Sequence, residues 1–130
     1  YLSEYLVFPE YKFKDPEIEQ MKEFKKILHL TREITNKNNS KLYFVYLPLC
    51  ERYKTKTKGC YYKKGEYDDS NYRLLKKIVN ELDIPFIDTH TEVFLKEKFP
   101  TKLFPFELNK HYNVEGFRKV SEATYNLTKD

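Results

Sequence analysis

Tryptophan is missing from the 130-residue sequence, and glycine occurs only three times. So few glycines leave no turn able to wrap a phosphate, and neither a Gly-x-Gly-x-x-Gly nor a Walker-type lysine loop is present. The two cysteines, Cys50 and Cys60, have no second cysteine or histidine at metal-ligand spacing, so no zinc site is expected. They can close a disulfide in an oxidising compartment; free thiols are the expectation taken here. No run of about 18 apolar residues occurs, so nothing in the sequence is expected to span a membrane. The first residues, Tyr1-Leu2-Ser3-Glu4-Tyr5, do not read as a signal peptide. Charge of one sign is also lacking. The 24 basic and 20 acidic residues are interspersed, with a net charge of +4, which describes a mixed solvated surface rather than a stripe for nucleic acid.

What the sequence does contain is a run of periodic elements. Asp15-Pro16-Glu17 combines a capping side chain, proline at a first helical position and an acid in the first turn. Ile18, Met21, Phe24, Ile27, Leu28, Thr31 and Ile34 follow at helical spacing and predict one apolar face, ended by the polar run Asn36 to Ser40. Leu42 to Leu47 is a continuous apolar run rich in β-formers, as expected of a central parallel strand covered on both faces. Pro48 ends it, and residues 49–69 read as a long surface loop crowded with tyrosine and lysine.

A second helix is predicted from Ser70 or Asn71, with Tyr72, Leu75, Ile78, Val79 and Leu82 on one side. Ile84-Pro85-Phe86-Ile87-Asp88 follows as a second strand, and strand, helix, strand at this spacing predicts parallel pairing. Thr91 to Lys98 reads as a short helix with Val93, Phe94 and Leu95 inward, and Pro100 and Pro105 impose an irregular segment. Asn113 is placed to cap a last helix whose apolar face is Val114, Phe117, Val120, Ala123 or Thr124, and Leu127. Residues 1–14 read as an extended arm or edge strand. The expected fold class is α/β: a three-layer αβα arrangement of flavodoxin-like type with a short parallel sheet, all in one domain or in the C-terminal part of a larger one.

In an open parallel sheet, ligands bind beyond the carboxyl ends of the strands. Three segments lead from that edge: the loop after Leu47, Asp88-Thr89-His90, and the loop bearing His111. His111 is the leading candidate for a general base, because a loop just before a capped helix can hold an imidazole both exposed and oriented. Asp88 is a candidate acid whose commoner role is that of a cap or turn residue, His90 reads as a helix-start residue, and His29 as structural.

The stretch His111-Tyr112-Asn113-Val114-Glu115-Gly116, running into its helix, resembles the last block of the SGNH (GDSL-like) hydrolases, whose histidine lies in a loop of the form His-x-Asn-x-x-Gly. The resemblance extends over roughly residues 41–127, of which the histidine block is the specific part. It implies a serine esterase or O-acyltransferase acting on a small ester or an acylated glycan, needing no cofactor and no metal, with His111 as general base. The family's aspartate three residues before the histidine is here Leu108, and Glu107 is the nearest carboxylate that could orient His111. No Gly-Asp-Ser and no Gly-x-Asn-Asp occurs, so the nucleophile is expected on an upstream segment, and such a segment or an oligomer is expected to complete the sheet. The alternative is a non-catalytic module binding carbohydrate or protein through the 49–69 loop. In either case Tyr53, Tyr61 and Tyr62 are the substrate-binding candidates, since their rings can stack on sugars.

Overall fold

The computed structural model describes residues 18–53, 67–107 and 111–129. The chain folds as a helix-rich α/β structure around a two-stranded parallel sheet. Its first helix, α1, runs Ile18–Lys37, and the acidic and proline start signals at 15–17 lie outside the described residues. Asn39 takes a left-handed conformation, and its amide and that of Ser40 bond back to the Asn36 and Thr35 carbonyls. This is a Schellman ending, in which asparagine tolerates the positive φ.

The first strand, β1 (Phe44–Tyr46), pairs with β2 (Phe86–Asp88), Phe44 opposite Phe86 and Tyr46 opposite Asp88. Both strands are shorter than their apolar runs. Leu42 packs against the core without entering the ladder, as does Ile84, and β1 is half-buried rather than covered on both faces. With a single neighbour among the described residues, a strand has no second ladder to extend or enclose it.

Between the strands, α2 spans Ser70–Glu81 and ends on Asp83 at φ 48°, with the amide of Ile84 bonded to the Val79 carbonyl at 3.2 Å. That second Schellman turn drives Ile84 into the same core as Val79. Successive strand residues alternate faces, so Phe44, Tyr46, Phe86 and Asp88 share the face toward α2. Phe44 stacks on Phe86 at 5.6 Å, Phe24 of α1 meets Phe44 edge-on, and Met21 and Leu28 close over Ile78, Val79 and Leu82. Ile27 and Ile34, expected on that same face, are instead 53% and 60% exposed. An apolar set as wide as the predicted one exceeds the arc a helix can press on one layer.

A second core collects Cys50, Val93, Phe94, Leu103, Phe104, Tyr112 and Val120. The helix predicted over Thr91 to Lys98 is a single turn, α3 (Thr89–Glu92), followed by a 3-10 turn over Phe94–Lys96. The break falls at Val93, whose φ of −120° is not helical; Val93 and Phe94 are inward as expected, and Leu95 is exposed. Cys50 is disulfide-bonded, which corrects the free-thiol expectation; Cys60 lies outside the described residues.

The last helix, α4 (Val114–Thr128), is capped by Asn113, whose side chain accepts from the Gly116 amide at 2.9 Å. Its inward edge differs from the predicted one: Gly116 and Val120 are buried, while Val114, Phe117 and Leu127 are exposed. The reason is the close approach at Gly116, where a β-carbon would lie 2.5 Å from the Leu103 carbonyl oxygen and 3.0 Å from the Tyr112 β-carbon. Alanine normally strengthens a helix over glycine by roughly 1 kcal/mol. Here Gly116→Ala is expected to destabilise the fold by about 1–3 kcal/mol through overpacking, read as a lower urea midpoint at unchanged slope.

Candidate functional site

The carboxyl ends of β1 and β2 are tied together side by side. Thr89, fully buried, donates its hydroxyl to the Tyr46 carbonyl at 2.5 Å, so the first residue after β2 satisfies the last carbonyl of β1. The chain leaving β1 turns through Leu47, Pro48 and Leu49 into a 3-10 turn, Cys50–Tyr53. That turn carries Tyr53 inward, where its ring stacks on Phe94 at 4.9 Å and its hydroxyl lies 2.8 Å from His90 Nδ1. Burial pushes the Tyr53 phenol far up, so it stays neutral. Burial also lowers the His90 imidazole, and the Arg52 charge adds to that push against the opposite pull of Asp88. Their contact is therefore one between neutral groups at neutral pH.

Arg52 is nearly enclosed, with a side chain 6% exposed. Its guanidinium lies over the rings of Tyr72 (4.5 Å), Tyr67 (5.0 Å) and Tyr46 (5.9 Å) and pairs with Asp69 at 2.7 Å. A buried cation needs such partners to offset its lost hydration. Asp88, at the end of β2, is held from α2: its Oδ2 accepts from the Tyr72 hydroxyl at 2.5 Å, Thr91 Oγ1 at 3.1 Å and Lys76 Nζ at 3.2 Å. Burial acts to raise its carboxyl, and the hydrogen bonds from Tyr72 and Lys76 outweigh burial, leaving it below the usual aspartate range. Its Oδ1 is buried and has no hydrogen-bond partner among the described residues. Among the described residues no histidine reaches Asp88 by a hydrogen bond.

The third segment is bound to the same edge by Tyr112. The Tyr112 hydroxyl donates to the Pro48 carbonyl at 2.7 Å, and its ring packs on Phe94 and Phe104. Asn113 adds two ties, its amide to the Leu103 carbonyl at 2.9 Å and its Nδ2 to the Lys102 carbonyl at 2.7 Å. His111, one residue before this anchor, is exposed. Upstream, Phe106 and Glu107 both hold positive φ, 55° and 58°, a conformation costing roughly 1 kcal/mol or more per non-glycine residue. Glu107 is held there by its amide bond to the Phe104 carbonyl and by Thr101, whose hydroxyl donates to Oε2 at 2.6 Å. The Cys50 sulfur lies 3.9 Å from the Glu107 carbonyl oxygen; a disulfide sulfur has no proton to donate, so this is a packing contact.

Of the substrate-binding candidates, Tyr53 is a half-buried member of the aromatic core, and Tyr61 and Tyr62 lie outside the described residues. Most of the 49–69 loop does too. Ser70 donates to Asp68 at the start of α2 and Ser40 to the Asn38 carbonyl, both local turn bonds, while Ser121 is exposed on α4. His29 is exposed on α1. Among the described residues no group of three or more His, Cys, Asp or Glu side chains is arranged to hold a metal ion, and no helix is long and apolar enough to cross a membrane. Sequence reasoning overlooked Lys76 and took Tyr72 as plain core. Their spacing of four residues on a helix entered from a strand exit was the available signal.

No family model, curated protein or solved structure matches the chain.

Asp88 at the end of β2 and His90 just after it are both depressed and act in the same direction with pH. Unfolded histidine titrates near 6.5 and aspartate near 3.9, so below each value the unfolded chain binds the extra proton first. Unfolding free energy is expected to decline on acidification through about pH 6.5, and again below about pH 4. His90→Gln should flatten the first limb and Asp88→Asn the second in pH-resolved urea titrations. A first limb that persists in His90→Gln would assign it to another group.

Proposed function

We propose that this chain contributes the histidine-bearing part of an SGNH-like serine hydrolase, an esterase or O-acyltransferase, with His111 as general base. The observation that carries the reading is the buried bond from Tyr112 to Pro48, which moors the residue after His111 to the exit of β1. In parallel α/β sheets that is the edge where ligands sit. Asn113 and Gly116, the other marks of the block, act as helix cap and close-contact residue, the structural parts such a loop needs.

In this reading His111 takes the hydroxyl proton of a serine as its oxygen attacks the ester carbonyl, and returns that proton to the departing alcohol. It then deprotonates water or an acceptor hydroxyl, which attacks the acyl-serine and releases the enzyme. Ser40, Ser70 and Ser121 sit in helix-end or exposed helical positions, so the nucleophile is assigned to residues beyond those described. Glu107 is the carboxylate assigned to orient His111; its left-handed backbone fits a loop bent for a purpose other than stability. Further strands on the described pair would build the three-layer form of the fold. The substrate is a small ester or an acylated glycan.

In the intact protein, His111→Ala is expected to lower turnover of p-nitrophenyl acetate by about 10²–10⁴-fold, with Glu107→Gln lowering it less. The unfolding midpoint of each variant is read alongside. Full turnover in His111→Ala overturns the assignment, and glycan binding without any turnover would favour a binding module instead.

A further inference from the structure

Helix α1 presents two apolar stripes. Met21, Phe24 and Leu28 pack on α2 and the sheet, while Ile27, Leu30 and Ile34 form a second row, each at least half exposed. Spacings of three and four residues put those three on one line along the helix. The charges beside the row are Glu23, Lys26, Glu33 and Lys37, all exposed. None of the four makes an ion pair among the described residues, although their helix neighbours Lys22, Lys25 and Arg32 do.

The order of these charges reads as a sign-inverted palindrome about Leu30. Glu23 and Lys37 stand seven residues to either side of it, and Lys26 and Glu33 stand four and three residues away. Laid antiparallel on a second copy of itself with Leu30 over Leu30, the helix sets Glu23 against Lys37 of the second copy. Lys26 then falls opposite Glu33 of the second copy, and Ile27 beside Ile34. A parallel alignment sets Glu23 against Glu23 and Lys26 against Lys26, which repels. We propose that this face of α1 is a two-fold, antiparallel self-association surface whose partner is a second copy of this chain, with Leu30 on the axis. A closed two-fold contact uses the same patch twice, as the palindrome requires. The proposal is independent of any activity at the sheet edge.

Sedimentation velocity of the protein over a dilution series is expected to show a reversible monomer–dimer equilibrium. Leu30→Glu, which sets two like charges on the axis, should weaken it by at least about tenfold. Lys26→Glu should weaken it as well, and the double exchange Lys26→Glu with Glu33→Lys should restore it by recreating the pair with reversed signs. Circular dichroism of each variant checks that α1 persists. A monomer at every concentration overturns the proposal, and so does a dimer indifferent to Leu30→Glu or one that the double exchange fails to restore. A lower unfolding midpoint in Leu30→Glu with unchanged mass also overturns it, because it shows the row covered by the chain itself.

Discussion

The hydrogen bond from the Tyr112 hydroxyl to the Pro48 carbonyl spans 64 residues and joins the beginning of the β1 exit to the threshold of α4. Pro48 is fully buried, and a carbonyl just beyond a strand end has left the ladder that would have satisfied it. Leaving it unpaired would cost about 1–3 kcal/mol. The tyrosine that satisfies it also packs its ring against both Phe94 and Phe104, which touch each other. One side chain therefore supplies both the polar and the apolar reason for the third segment to lie at this edge. The close contact of Gly116 with Leu103 and Tyr112 then sets how α4 leaves it.

Beside this anchor lies a compact set of charges that largely cancel. Arg52 faces Asp69 and three tyrosine rings, and Asp88 faces Lys76, Tyr72 and Thr91. His90 and Tyr53 complete the set as neutral partners. Such a network holds two strand exits and α2 in fixed relation, since each member loses a partner if any element shifts. Of the four left-handed non-glycine residues, Asn39 and Asp83 end helices, whereas Phe106 and Glu107 lie adjacent in the segment that leads to His111.

Helix α1 shows how one amphipathic pattern can serve two surfaces. Its inner row meets aromatic residues of the sheet, and Lys25 and Arg32 reach Glu81 and Asp83 at the end of α2. Salt bridges this exposed add little stability, so the apolar row carries most of the attachment. The outer row gains nothing from the described fold. Its apolar line is flanked by charges of alternating sign that make no ion pair among the described residues, the features from which the symmetric contact is proposed.

Much of the local structure was legible in the residues themselves. The polar run after α1, the cap at Asn113, the parallel pairing and the inward Val93 and Phe94 all follow from turn chemistry and short-range periodicity. The histidine block stood out by its resemblance to a known family's motif, beyond what its residue types alone suggest. Other features depended on contacts that no window of sequence contains. Which of two apolar rows on α1 is buried was decided by where α2 and the sheet lie. The inward edge of α4 was decided by a carbonyl of Leu103 lying against Gly116. The enclosure of Arg52 and the buried oxygen of Asp88 belong to the same class. Sequence determined which backbone states each segment can adopt, because those depend on neighbours a few residues away; which side chains meet is a matter of long-range packing, whose partners here stand up to 64 residues apart.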